Sequence, residues 1–235
     1  MTIRLCWLYP ELMSTYGDRG NIFVLQKRGQ WRGIEVEIQN EPETADLIFG
    51  GGAKDRQQEI VMRDLLSKKE ILRKKFESGV PGLFVCGSPQ LLGHYYETAE
   101  KTKIKGLGIF DMVTRTGFGK PRLIGNLIGE TGDKKTIVGF ENHSGRTFLG
   151  MGVKPFAKVI RGFGNNGEDG TEGAVFANCL ATYMHGPFLS KNPHVADWLI
   201  KTALEVKTGK SVELKPLDDA LELKAHDFIL KKYGH

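Results

Sequence analysis

The stretch PGLFVCGSPQLLG, Pro81 to Gly93, decides the fold prediction for this chain. The apolar run before Cys86 reads as a buried strand, and small or turn-forming residues follow the cysteine at once. Gly87 allows close backbone approach, and Ser88 and Pro89 suit the cap and first position of a helix. A strand–turn–helix of this kind would lift Cys86 clear of a sheet as a nucleophile. The alternative is an inert core thiol, which is the commoner state of a free cysteine.

Strand-like and helix-like segments alternate through the first 100 residues. Their pattern predicts strands over 3–9, 34–38, 45–50 and 82–85, and helices over 18–31 and 54–78, with Asp18 as a helix cap. This rhythm is typical of a parallel sheet with helices on both faces.

Beyond the first 100 residues, the predicted secondary structure changes twice along the chain. Between residues 106 and 188, short β-like runs alternate with glycine turns, which predicts antiparallel hairpins or edge strands added to the sheet. Helical patterns over 193–206 and about 217–232 follow. No repeat or linker interrupts the sequence, so we predict a single α/β domain over residues 1–235 with a C-terminal helix.

Composition excludes several classes of function. The net charge of +5 and the pI of about 9.0 permit a nucleic-acid partner. The basic segment Lys68–Lys75 nevertheless lacks the aromatic residues that would stack on bases and reads as the solvated face of a helix, so no nucleic-acid partner is expected. The three cysteines include no C-x-x-C pair, which disfavours a disulfide framework or a metal site.

The apolar segments bear on location. The N-terminal apolar stretch is short and charged, unlike a signal peptide, and nowhere do 18 apolar residues run together. We therefore expect a cytoplasmic protein with no direct membrane insertion.

Two further segments end strands at the edge where doubly wound sheets bind ligands. FGGGAKD, Phe49 to Asp55, places three glycines between a strand and a helix, where backbone N–H groups can bind an anion or an oxyanion. In CLATYMHGPF, Cys179 to Phe188, an apolar strand ends at His185, about 100 residues after Cys86. That arrangement suits a base that meets the nucleophile in space, although a lone histidine is more often structural.

One motif matches a cofactor-binding pattern without the sequence context that such a site requires. The segment GFGNNG, residues 162–167, matches the dinucleotide-binding fingerprint G-x-G-x-x-G. The residues after it are turn-rich and cannot open a helix, so the segment is predicted to be a polar loop between two strands.

Taken together, these segments resemble a known family. The cysteine segment 85–93, the glycine loop 49–52 and the histidine segment 181–188 resemble class I glutamine amidotransferase domains of the cobyric-acid-synthase-type branch. Four further segments, residues 16–21, 50–58, 139–147 and 162–173, narrow the resemblance to small glutaminase subunits. The resemblance covers roughly residues 3–205 and implies a flavodoxin-like fold, with a mostly parallel central sheet, flanking helices and added antiparallel hairpins.

The resemblance implies a reaction and roles for five residues. Such domains hydrolyse the side-chain amide of L-glutamine and hand ammonia to a synthetase. Cys86 would attack the amide carbon, and His185 would hold the thiol proton and return it to the leaving nitrogen. The backbone N–H groups of Gly52 and Gly87 would bind the oxyanion. By position, Arg122 would bind the α-carboxylate of glutamine.

The resemblance also implies a partner. A Mur-ligase-like, ATP-dependent synthetase subunit, in a probable heterodimer, would use the ammonia to amidate the D-glutamate of the peptidoglycan precursor lipid II. ATP would be used by the partner, and this chain would carry no cofactor or metal of its own. Three alternatives remain open: a glutaminase serving another ligase, a cysteine hydrolase with another substrate, and a catalytically silent regulatory subunit.

The sequence departs from the family pattern at two places. Pro187 stands where many relatives carry the acid that orients the histidine, two positions after it. We expect the missing acid to be Glu141 or, preferably, a residue of the partner, which would keep activity low until the complex forms. The second departure is Phe84, two residues before Cys86, which is bulkier than the glycine of many relatives.

Overall fold

The structure, a computed structural model, describes residues 1–117 and 119–234. Fifteen strands and six helices lie in this part of the chain. The strands are β1 (Thr2–Leu8), β2 (Glu35–Gln39), β3 (Leu47–Gly50), β4 (Gly82–Val85), β5 (Tyr95–Glu97), β6 (Lys103–Lys105), β7 (Met112–Thr116), β8 (Leu123–Thr131), β9 (Thr136–His143), β10 (Gly145–Leu149), β11 (Ala157–Arg161), β12 (Thr171–Glu172), β13 (Ala174–Phe176), β14 (Cys179–Thr182) and β15 (Met184–His185). The helices are α1 (Arg19–Gln30), α2 (Asp55–Leu65), α3 (Lys69–Glu77), α4 (Gly87–Leu92), α5 (Pro193–Thr208) and α6 (Ala220–Tyr233).

A six-stranded sheet forms the centre of the described chain, in the order β13–β14–β4–β3–β1–β2. The neighbours from β14 to β2 pair in parallel, and β13 is antiparallel to β14. Side chains alternate along β1: Ile3 and Leu5 join the core that includes residues of α1 and α5, whereas Cys6 joins the core that includes residues of α2 and α3. The predicted mostly parallel sheet flanked by helices is therefore confirmed.

The β-rich middle differs from the expectation. Within the described residues of this region, β13 and β14 join the central sheet, and the other strands belong to two separate sheets, β10–β7–β5–β6 and β12–β11–β8–β9–β15. The β8–β9 hairpin and its neighbours satisfy one another's backbone hydrogen bonds, so they need no place on the central sheet. Since β15 follows β14 after Tyr183, the five-stranded sheet is anchored at the carboxyl end of a central strand.

The helices fall close to their predicted places, with one exception. The single helix expected over 54–78 is divided into α2 and α3 by a turn of 3₁₀ helix at Leu66–Lys68. The Ser67 hydroxyl donates to the Asp64 carbonyl at 2.7 Å, and such a local bond competes with the helical pattern. The GFGNNG segment lies between β11 and β12 as predicted. None of the helices in the described part is long and apolar enough to cross a membrane.

A buried ionic cluster joins α1 to the C-terminal part of the chain. Arg28, whose side chain is 2% exposed, pairs with Asp197 at 2.7 Å and Asp219 at 2.6 Å. Arg32, at 3% exposure, shares Asp197 at 2.7 Å. Asp197 thus pairs with two nearly buried guanidinium groups, and Arg28 has Asp219 as a second partner.

We expect Asp197→Asn to lower the free energy of unfolding by about 3 kcal/mol, because it leaves a buried positive charge uncompensated. Urea denaturation of the two proteins measures the difference. Glu130→Gln is the control, since its partner Lys134 is 80% exposed, and it should change stability by less than about 0.5 kcal/mol. Equal effects of the two substitutions would contradict the importance of burial.

Candidate active site

Cys86 occupies a strained turn between β4 and α4, with φ +53° and ψ −95°. A non-glycine residue in such a conformation costs about 1–3 kcal/mol, and residues of this kind cluster at functional sites. Its backbone N–H donates to the carbonyl of Thr182 at 2.9 Å, which ties the turn to the neighbouring strand. The predicted strand–turn–helix is therefore present. Cys6 and Cys179, by contrast, are fully buried within strands and contribute to the core.

The bulk of Phe84 does not disturb this turn. Its ring points into the core, where it packs edge-on against Phe76 at 5.4 Å and Phe110 at 6.3 Å between centroids. The room comes from Gly82, where an added Cβ would lie 2.6 Å from the Phe84 ring. The glycine that many relatives have two residues before the nucleophile is thus replaced by an aromatic residue that anchors β4 to the core.

His185 reaches Cys86 through the pairing of two central strands. β4 and β14 run parallel, with Val85 beside Thr182, so the residues that follow them emerge at the same edge of the sheet. His185 ends the short strand β15 just beyond that edge and is fully buried. Its Nε2 has no hydrogen-bond partner among the described residues, which leaves this atom to exchange a proton with a reacting group.

Asp18 supplies the orienting acid that the sequence analysis missed. Its Oδ1 lies 2.9 Å from His185 Nδ1, and both side chains are fully buried. Because a carboxylate only accepts hydrogen bonds, Nδ1 carries a proton in both the neutral and the charged ring, and Nε2 is the nitrogen left to interact with Cys86. Asp18 had been predicted to cap α1, but its side chain makes no capping bond.

The environment of His185 favours its charged form. Burial opposes protonation, but the hydrogen bond to Asp18 and the neighbouring Cys86 outweigh it and raise the pKa of His185 to about 10. The site thus favours the protonated ring over the neutral one. A charged imidazolium stabilises a thiolate nearby and can give its proton to a departing nitrogen.

Glu141, one of the two sources expected for the acid, has a different role. Its Oε1 accepts from the N–H of Phe163 at 2.7 Å and its Oε2 from the N–H of Gly164 at 3.0 Å. Oε2 also lies 3.4 Å from His143 Nε2. Glu141 thus fixes the GFGNNG loop and does not hold His185. The expectation of Glu141 as the orienting acid is wrong, and Asp18 removes the need for an acid from a partner.

The two predicted oxyanion donors differ in availability. Gly87 opens α4, where N–H groups lack partners within the helix. A Cβ at Gly87 would lie 2.7 Å from the Ala53 nitrogen, so glycine permits the elbow and the glycine loop to meet. The N–H of Gly52, however, already donates to Asp18 Oδ2 at 2.7 Å. Asp18 therefore connects the histidine with the glycine loop.

An open cleft of about 740 Å³ leads to Cys86. Its wall includes Asp55, Tyr96 and Arg122. The guanidinium of Arg122 donates to the side-chain oxygen and the carbonyl of Asn142, each at 3.0 Å, which orients it along the wall. Among the described residues, no group of three or more histidine, cysteine or acidic side chains is placed to hold a metal ion.

A chain of buried polar side chains leads inward from Gln58 and Gln90, which line the cleft. Gln58 donates to Gln90 at 2.9 Å, Gln90 donates to the Tyr183 hydroxyl at 3.1 Å, and that hydroxyl lies 2.6 Å from Thr147 Oγ1. The His143 ring stacks on Tyr183 with 3.7 Å between centroids. This network could not be predicted from the sequence, because its members are far apart along the chain.

The chain matches a known protein family and is similar to named members of it. The sequence profile of the family described as "CobB/CobQ-like glutamine amidotransferase domain" matches residues 4–193. The chain is 38% identical over 229 residues to the "Lipid II isoglutaminyl synthase (glutamine-hydrolyzing) subunit GatD" of Staphylococcus aureus, covering 94% of this chain and 92% of that protein. It is 37% identical to the protein of the same name from Streptococcus pneumoniae, over 93% of this chain and 87% of the relative.

Solved structures agree on the fold. A structure described as "Crystal structure of glutamine amidotransferase" superimposes with a TM-score of 0.60, covering 85% of this chain and 98% of that one. The two sequences are 17% identical, so this similarity bears on the fold alone.

Proposed function

Since the chain belongs to the CobB/CobQ-like glutamine amidotransferase family, we propose that it is the glutamine-hydrolysing subunit of a lipid II isoglutaminyl synthase. It releases ammonia from L-glutamine for a partner that amidates lipid II. Two relatives named as such subunits, each matched over most of its length, support this assignment. The observation that carries it is the strained Cys86 beside His185, whose Nδ1 is held by the buried Asp18.

The reaction follows from these three side chains. The Cys86 thiolate attacks the amide carbon of glutamine and forms a tetrahedral intermediate. His185 then gives its Nε2 proton to the nitrogen, so that ammonia leaves and a thioester remains. Neutral His185 next takes a proton from water, whose oxygen attacks the thioester, and glutamate departs as the thiolate is restored. Asp18 keeps Nε2 facing the reacting atoms throughout.

The oxyanion of each intermediate binds to the N–H groups of Gly87 and Gly52 in this proposal. Gly52 must then exchange Asp18 Oδ2 for the substrate oxygen. The exchange couples the formation of the oxyanion site to the carboxylate that orients His185.

Arg122 binds the α-carboxylate of glutamine through its planar pair of N–H donors. Arg122→Ala should raise the KM for glutamine about 10- to 100-fold, the range expected for a lost charge-assisted hydrogen bond, with a smaller change in kcat. Steady-state assays of glutamate release measure both. Arg115→Ala is the control, because Arg115 is exposed and bonds Tyr95 outside the cleft. An unchanged KM for Arg122→Ala would remove Arg122 from the substrate site.

The partner is proposed to be an ATP-dependent, Mur-ligase-like synthetase that forms a heterodimer with this chain in the cytoplasm and amidates the D-glutamate of lipid II. Free ammonia at neutral pH is mostly ammonium, which is not nucleophilic, so a contact that protects the ammonia is needed. No cofactor is required by the chemistry of Cys86 and His185, and ATP is used by the partner. We further propose that residues 1–235 act as one domain.

Glutamine labelled with ¹⁵N in its side-chain amide tests the proposal. The complex should transfer the label to lipid II in proportion to the glutamate released. If glutamate forms and the label never reaches lipid II, the chain serves another ligase. Equal, negligible glutamate release by the wild-type and Cys86→Ala complexes would indicate a silent regulatory subunit.

A further inference from the structure

Asp55 presents a carboxylate in the cleft without a cationic partner. It is the first residue of α2, is half-buried, and lines the same cleft as Cys86 and Arg122. The Tyr96 hydroxyl donates to its Oδ1 at 3.1 Å. Among the described residues, no lysine, arginine or histidine nitrogen lies within 4.0 Å of this carboxylate, although Lys54 and Arg56 also line the cleft.

The surroundings of Asp55 favour a positively charged ligand. Burial raises the pKa of Asp55, and the nearby charges of Glu100 and Glu59 raise it further. The hydrogen bond from Tyr96 and the charge of Arg122 oppose that shift. A cation bound to the carboxylate would offset the cost of burial, because an opposite charge at short range favours the ionised form.

Tyr96 holds the carboxylate in position. Its side chain is 2% exposed, and its hydroxyl also lies 3.4 Å from Thr116 Oγ1. Asp55 is further restricted by its place in the first turn of an eleven-residue helix. A substrate-binding group fixed in this way loses little conformational freedom when a ligand arrives.

The chemistry of glutamine identifies the cation. Its amide must reach Cys86, and its carboxylate is assigned to Arg122, so the α-ammonium group is the remaining charge that needs a partner. We propose that Asp55, positioned by Tyr96, binds the α-ammonium group of the substrate and makes the cleft selective for amides of α-amino acids. This inference rests on the proposed glutaminase function and adds a specificity-determining residue to the same site.

A substrate that lacks the amino group provides the test. Glutaramate is glutamine without its α-amino group, and it should be a poorer substrate than glutamine for the wild-type complex. Asp55→Asn should lower kcat/KM for glutamine about 10- to 100-fold, chiefly through KM, because a charge-assisted hydrogen bond is lost. The same substitution should leave kcat/KM for glutaramate nearly unchanged. The preference for glutamine over glutaramate therefore collapses.

Two control variants separate recognition from folding. Glu70→Gln changes an exposed acidic residue of α3 that lies outside the cleft lining, and it should leave both substrates unaffected. Tyr96→Phe keeps Asp55 but removes the hydrogen bond that positions it, so it should reduce the preference for glutamine partially. The inhibition constant of glutaramate against glutamine hydrolysis is also measured. It gives the affinity for glutaramate even where turnover of glutaramate is too slow to follow.

The outcomes distinguish this inference from the proposed function. If Asp55→Asn loses the same factor for glutamine and glutaramate, or for neither, the assignment of Asp55 is overturned while the glutaminase function stands. If the wild-type complex releases no glutamate from glutamine, the proposed function fails and the assignment fails with it.

Discussion

Replacing Cys86 with alanine is expected to lower glutamine hydrolysis by about 10⁴-fold or more, because no thioester can form without the thiolate. Glutamate released by the chain together with its ligase is the quantity to measure. Cys6→Ala is the matched control: its thiol lies in the core and bonds the Asn40 carbonyl, so activity should change little. A Cys86→Ala protein as active as the wild type would contradict the mechanism.

Asp18→Asn is the second substitution for which we expect a large effect, a loss in kcat of about 10³- to 10⁴-fold. The amide of asparagine can present a donor to Nδ1, and the proton of His185 then sits on the wrong nitrogen. The cleft and the glutamine-binding side chains stay in place, so KM should change much less. Kinetics over a range of glutamine concentrations separate the two parameters.

The pH profile distinguishes this role from a merely structural one. Asp18 raises the pKa of His185, so Asp18→Asn should lower it. Catalysis requires protonated His185 as the acid, so activity is present at pH values below the pKa of His185 and is lost above it. The alkaline limb of the residual activity should therefore move to lower pH. Glu141→Gln, which changes an acid that does not touch His185, should leave the position of the limb unchanged. A limb that stays fixed in Asp18→Asn would contradict the role of Asp18.

The sequence was sufficient to predict that Cys86 and His185 lie at the same edge of the sheet, because both follow strands that run in parallel. Cys86 follows β4 and His185 lies beyond β14, and parallel neighbours bring their carboxyl ends to one edge. Asp18 was missed for a local reason. Its position just before α1 is also where a capping residue stands, and only the packing of the β1–α1 loop against β15 reveals its contact with His185.

Other errors have comparable causes. Glu141 was one of the two sources expected for the orienting acid, whereas N–H groups of the GFGNNG loop bind both of its oxygens. The 54–78 helix is divided at Leu66–Lys68, where the Ser67 side chain bonds backward to the main chain, and the spacing of apolar residues does not indicate this turn. The separate sheets of the middle region depend on long-range pairing, which alternating short strands do not encode.

Asp18 also changes the expected basis for dependence on the partner. The acid that orients His185 lies within this chain, so a partner acid is not needed for that purpose. The donor that is engaged elsewhere is the N–H of Gly52, bound to the same carboxylate. Any activation by the synthetase is therefore best sought in the glycine loop.

The proposed role of Cys86 as the nucleophile of a glutamine-hydrolysing site can be tested by trapping its thiolate. A diazoketone analogue of glutamine, which alkylates the attacking thiolate, is added to the complex, and the peptides are analysed by mass spectrometry. We expect one adduct, on Cys86, that excess glutamine prevents and that forms more slowly in Asp18→Asn. An unlabelled Cys86, or labelling of Cys6 or Cys179 instead, would contradict it.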